Sequence, residues 1–196
     1  MKLKSNLLLL LTAAIWGFAF VAQRVGMDYV EPFTFNGIRF ALGSVSLLPL
    51  MLYYKNSPKD ADNSGQQTKS SLSVGLLAGA VLFIAASLQQ IGLVYTTAGK
   101  AAFITGLYIV LVPVAGIFLR HSITASVWLG SLLAITGLYF LTVREGFTMA
   151  YGDLLELIGT FFWAAHILLI GRFSRTTDTL KLAFSQFLTC SLLSLV

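Results

Sequence analysis

Seven stretches of the chain are almost wholly apolar, each with at most one charged residue: Leu7–Val25, Phe33–Tyr54, Leu72–Val94, Ala98–Leu119, Ala125–Val143, Leu154–Gly171 and Leu180–Val196. Each approaches the roughly 20 residues that a helix needs to cross a hydrocarbon core of about 30 Å. None shows the ten-residue alternation of a transmembrane β-strand, and lipid leaves the helix as the other way to satisfy a spanning backbone. The pattern therefore predicts an all-α polytopic membrane protein with about seven transmembrane helices. Met1, Lys2 and Lys4 before Leu7–Leu11 imitate a secretory signal, but the further apolar stretches favour an uncleaved first helix.

One connection is long. Lys55–Ser71 is polar, holds Pro58 and Gly65 and lacks apolar periodicity, so it reads as a mobile cytoplasmic loop, 55–71. The other links are short, which predicts antiparallel neighbours in mutual contact.

Composition sharpens this picture. Of 196 residues, 57% are hydrophobic and 11% are charged, against about 25% charged in an ordinary soluble domain. A soluble enzyme and a disordered chain are both excluded on that ground. Cys190 stands alone, so no disulfide forms within the chain. The net charge of +5 would fit a nucleic-acid surface, but its placement reports topology instead. With the N-terminus in the cytoplasm, nine basic residues (Lys2, Lys4, Lys55, Lys59, Lys69, Arg120, Arg172, Arg175, Lys181) lie inside and three (Arg24, Lys100, Arg144) lie outside. Arg39 completes the thirteen from within a span. The partner is the lipid bilayer, not nucleic acid. The membrane is the plasma membrane, with a prokaryotic inner membrane expected because no organellar presequence is present.

A displacement of 147 positions lays residues 7–49 on residues 154–196. It matches Trp16 with Trp163, Arg39 with Gln186, Phe40 with Phe187 and Ser44 with Ser191. Five spans separate the two copies, so the second enters the membrane from the opposite face. Inverted repeats of this kind place a substrate site between the halves. The organisation expected is a five-helix repeat, residues 1–145, followed by the first two helices of an inverted second repeat, residues 150–196. A homodimer or a missing C-terminal half would complete the pair.

Several residues carry candidate chemistry. Arg39 lies inside a span, on a polar face with Asn36, Gly43 and Ser46, and reads either as an anion contact or as a structural Arg. Trp16 and Gln23 on helix 1, and Trp163 and His166 on helix 6, are the walls of the expected cavity, with Tyr108 beside them. Lys100 reads as a snorkelling lysine or as part of an outer vestibule with Arg39 and Arg24. Glu156 reads as a first-turn Glu reaching outer water, as a group that neutralises Arg39 or Lys100, or as the carrier of a coupling proton. His121 falls in a cytoplasmic turn. Pro113 is expected to bend helix 4, and Gly75–Gly79, Ala98–Ala102 and Gly130–Ala134 are expected to let helices approach closely. No HExxH, GxSG, CxxC, GxxxxGK or GxGxxG occurs, so no enzyme, metal or cofactor is implied.

Ile15-Trp16-Gly17, Arg39-Phe40, the run Thr97-Ala98-Gly99-Lys100-Ala101-Ala102-Phe103-Ile104, and Gly152-Asp153 followed by Trp163 resemble the EamA-type permeases of the drug/metabolite transporter superfamily. The resemblance covers essentially the whole chain. It implies a ten-helix carrier of two inverted five-helix repeats that moves metabolites, amino acids or drugs, often outward, through a central cavity. This chain departs from that pattern by ending after the second helix of the second repeat.

Overall fold

The computed structural model describes residues 2–54, 64–118, 124–144, 150–174 and 176–196. Its elements in order are α1 (Lys2–Gly26), α2 (Pro32–Tyr54), α3 (Ser64–Tyr95), α4 (Ala98–Gly106), α5 (Tyr108–Phe118), α6 (Ala125–Arg144), α7 (Tyr151–Phe173) and α8 (Thr179–Leu195). Among the described residues there is no strand. Five helical stretches are long and apolar enough to cross a membrane: α1, α2, α3 from Ser71, α4 with α5 as one span, and α7. Shorter apolar stretches in α6 and α8 account for the other two of the seven expected passages.

Local signals set several ends. Pro32 opens α2, where its missing N–H removes nothing from the helix. Thr97 caps α4, its hydroxyl accepting from Lys100 N at 3.3 Å. Asp178 caps α8, accepting from Leu180 N at 3.0 Å and Lys181 N at 3.2 Å.

Two boundaries differ from the sequence expectation. The helix α3 begins at Ser64, so the last part of the expected 55–71 loop is helical; residues 55–63 lie outside the described residues. The fourth span is interrupted at Leu107, an interruption the sequence did not announce, while Pro113, expected to bend the span, sits within α5. At Leu107 the backbone tightens, its N–H bonding Ile104 O three residues back at 3.0 Å. The expected turn at Arg120 and His121 also lies outside the described residues.

Packing does not follow chain order. The most extensive contacts join α3 to α7, α3 to α8 and α2 to α8, with α4 and α5 lying on α7. Among the described residues α7 and α8, although a short link joins them, approach little along their backbones and meet through side chains such as His166 and Gln186. The expected contact between sequence neighbours holds for α2 with α3, α3 with α4 and α5 with α6, but the larger contacts run across the bundle. Small residues are the reason. A Cβ at Gly79 would lie 2.5 Å from Thr189 Cβ and 2.8 Å from Gln186 O, so the Gly75–Gly79 stripe of α3 lets α8 seat directly on it. Likewise a Cβ at Gly152 would meet Gly92 O at 2.5 Å and Thr96 N at 3.0 Å, which fixes α7 against the end of α3. Gly130, expected to serve the same purpose, has open space beside it.

The interior holds two apolar clusters. One gathers Phe40, Leu82, Ala86 and Cys190, with Phe83, Trp163 and Phe187 packed on it. The other gathers Phe20, Leu93 and Ala101. Phe40 of α2 and Phe187 of α8, which the displacement of 147 positions matches, stack against one another with ring centroids 5.8 Å apart. The outer faces are apolar, as a lipid-facing surface requires; Leu7 to Leu11 of α1 are all exposed.

Candidate functional site

The polar residues of the spans turn inward and meet. On α2, Asn36 is fully buried and donates from Nδ2 to Ala86 O of α3 at 3.1 Å, which anchors the side chain and aims its oxygen at Arg39. Arg39 Nη2 donates to Asn36 Oδ1 at 2.8 Å, and Nη1 donates to Gln23 Oε1 of α1. The guanidinium lies over the Phe40 ring at 4.7 Å and the Phe35 ring at 5.7 Å, a placement in which the ring faces attract the cation. Its Nε is buried without a partner.

From Gln23 the network passes into α3 and α7. Gln89 Nε2 donates to Gln23 Oε1 at 3.2 Å, and Gln89 Oε1 accepts from Trp163 Nε1 at 2.9 Å. Trp163 sits edge-on to His166 with ring centroids 6.1 Å apart, and His166 Nε2 lies 2.9 Å from Gln186 Oε1 of α8. Four helices thus share one chain of amide, guanidinium and indole groups, and the hydrogen bond between His166 and Gln186 brings in α8. Each amide in it uses both ends, which fixes side-chain orientation in a way that a lone polar group does not.

A second cluster lies where α3, α4 and α7 meet. Lys100 Nζ is 3.3 Å from Asp153 Oδ2, with side-chain exposures of 11% and 5%. Asp153 also accepts from the Thr96 hydroxyl and, at 2.9 Å, from Ala150 N, so the acid caps the start of α7 while binding α4 to it. One turn on, Glu156 is 1% exposed. Its Oε2 accepts from Thr105 Oγ1 at 3.0 Å, while Oε1 has no partner. Thr160 Oγ1 lies 2.8 Å from Glu156 O and 3.1 Å from Ile104 O.

Of the six residues expected to line a cavity, four share the first network: Gln23, Arg39, Trp163 and His166. The other two, Trp16 and Tyr108, pair with each other, ring centroids 5.8 Å apart, and no hydrogen bond or ring contact ties them to Arg39. Lys100 does not snorkel, because Asp153 holds its ammonium. Glu156 is enclosed rather than facing water, and it neutralises neither Arg39 nor Lys100. Arg24 pairs with Asp28 at 2.8 Å instead of joining a vestibule.

Sequence reasoning passed over Gln89 and Thr105, and it met Gln186 only as the match of Arg39 and Asp153 only in the Gly152-Asp153 pair. The adjacent Gln89 and Gln90 were the available signal, since two amides inside an apolar span are expensive unless something bonds them. Gln90 does find a partner, donating to Gln23 O at 3.5 Å. Among the described residues no group of three or more His, Cys, Asp or Glu could hold a metal ion. The arrangement offers donors, acceptors and one cation for holding a polar solute.

Comparison with known proteins places the chain among membrane transporters by sequence. An uncharacterized transporter of Archaeoglobus fulgidus is 32% identical over 199 residues, covering 98% of this chain and 57% of its own length. A second from the same organism is 28% identical over 86% of the chain. The uncharacterized transporter YoaV of Bacillus subtilis is 25% identical over 76%. The chain spans about half the length of the curated relatives it matches. No solved structure matches it. The family described as EamA-like transporters matches residues 3–143. The family model covers most of the chain and the relatives carry the name transporter, so the chain, a multi-pass membrane protein by its apolar helices, belongs to the EamA-like transporter family.

Proposed function

We propose that the chain moves small metabolites, amino acids or drugs, in the outward direction, by alternating access, with its N-terminus in the cytoplasm of a prokaryotic cell. The observation that carries this reading is the polar network running from Asn36 through Arg39, Gln23 and Gln89 to Trp163. Buried polar groups inside a membrane are costly and mark solute paths. The face of Trp163 and the pair Trp16–Tyr108 supply aromatic surface beside that path. Lys100, Asp153, Thr105 and Glu156 join α4 to α7 and would have to rearrange as the bundle rocks.

The paired stacking of Phe40 on Phe187 supports an inverted repeat. A residue that touches its own repeat mate lies on the axis relating the two copies, so α2 and α8 would form the line about which the halves turn. A carrier built this way is completed by further helices against α1, from a second copy or from an additional segment. The low burial of α1, 6% of its apolar window, supports that companion.

The test is exchange in reconstituted vesicles. Vesicles holding the purified chain and a mixture of unlabelled amino acids should accumulate labelled amino acids or ethidium faster than empty vesicles. Arg39→Ala should abolish the accumulation while leaving insertion intact. Equal accumulation with and without protein sinks the carrier reading. The orientation is checked separately: a cysteine at position 59 should react with an impermeant maleimide only after cells are opened.

A further inference from the structure

Arg39 is a formal charge among neutral partners. Asn36, Gln23 and Gln89 satisfy donors, yet an amide oxygen does not cancel a charge. The described acids that face the bundle interior are engaged elsewhere: Asp153 on Lys100 and Thr96, Glu156 on Thr105. Asp28 and Asp178 hold Arg24 and Lys181 near helix ends. Among the described residues no carboxylate comes within 4.0 Å of the Arg39 guanidinium. A cation enclosed by apolar helices and left without an anion is unfavourable. A guanidinium also presents two parallel N–H groups that match a carboxylate. Among the described residues the buried Nε has no partner, and Nη2 beside it holds only Asn36.

We infer that Arg39 is the docking point for a carboxylate on the transported solute, held by Nε and Nη2 together. The ligand class is therefore small organic carboxylates, and Gln89, which bridges Gln23 and Trp163, is linked to Arg39 through Gln23. The inference rests on the carrier reading and adds the substrate's charged end to it.

Calorimetric titration of the purified chain in lipid nanodiscs tests it. In chloride-free buffer, acetate, hexanoate and phenylacetate are each compared with the corresponding amide. At least one acid should bind, with its amide about tenfold weaker or more, the loss expected when a charge-assisted contact becomes a neutral one. Arg39→Gln should weaken the acid by a similar factor and leave the amide unchanged. Arg39→Lys, which keeps the charge without the fork, should fall between; it and the amide comparison decide the matter if the Gln variant fails to fold. The inference is overturned if no acid binds, if an amide binds as tightly as its acid, if chloride competes as well as the acid, or if Arg39→Gln binds the acid unchanged. Vesicle exchange separates the two readings. Carboxylate binding without exchange of any solute sinks the carrier and keeps the site, whereas exchange of amines without carboxylate binding does the reverse.

Discussion

Helices α1 and α7 are matched by the displacement of 147 positions and are comparably apolar. Yet 22% of the most apolar stretch of α7 is buried, and only 6% of that of α1. The buried positions of α7 are Gly152, Asp153, Glu156, Gly159, Thr160 and Ala164, one stripe three or four residues apart facing α3 and α4. On α1 only Phe20 and Gln23 are buried, both in its last two turns. Hydropathy therefore does not decide which helix is enclosed. Small residues that admit a neighbouring backbone, and polar groups that bond it, do.

The comparison is most easily broken at the ion pairs. Asp153→Ala removes the partner of a buried lysine and should cost about 3–5 kcal/mol, whereas Asp28→Ala, on the exposed pair with Arg24, should cost less than about 1 kcal/mol. Thermal unfolding in detergent compares them, and equal losses would deny that Lys100–Asp153 differs from a surface pair. Next come the glycines. Gly152→Ala forces a methyl into the α3 backbone and should destabilise by about 1–3 kcal/mol. Gly17→Ala on α1, with open space beside it, should be neutral or gain up to about 1 kcal/mol from helix propensity. The same melt reads both, and a destabilising Gly17→Ala would mean that α1 is packed after all.

The polar bonds should separate the helices more gently. Gln89→Ala strands Trp163 Nε1 and should cost about 1–3 kcal/mol, with a change in tryptophan emission that reports the freed indole. Thr12→Ala on α1 deletes a hydroxyl that bonds only Leu8 O of its own helix and should stay within about 0.5 kcal/mol. An unchanged emission spectrum in Gln89→Ala would remove Gln89 from the network.

Much of the candidate site was legible because a charge or amide inside an apolar run is conspicuous. Arg39 and Gln23 stand out on those terms, and helical spacing puts Asn36 on the same face as Arg39. Lys100 and Glu156 were also visible, but their partners were not. Lys100 is met by Asp153, which lies fifty-three positions later in the chain, and nothing in the run around Lys100 announces it. Glu156, at a helix start, has the local signature of a solvated residue; the close approach of α3 at Gly92 and of α4 at Thr105 encloses it. Gln186 entered only as the repeat match of Arg39, and its bond to His166 depends on where α8 packs.

The amino-acid sequence determined that this is a membrane protein of about seven apolar passages, because transfer of a span into lipid is a local sum over its own residues. The tertiary structure decided which helices touch and which polar groups find one another. Those outcomes depend on the fit of α3 into the glycine and hydroxyl surfaces of α7 and α8, a property of surfaces distant in the chain that no single stretch contains.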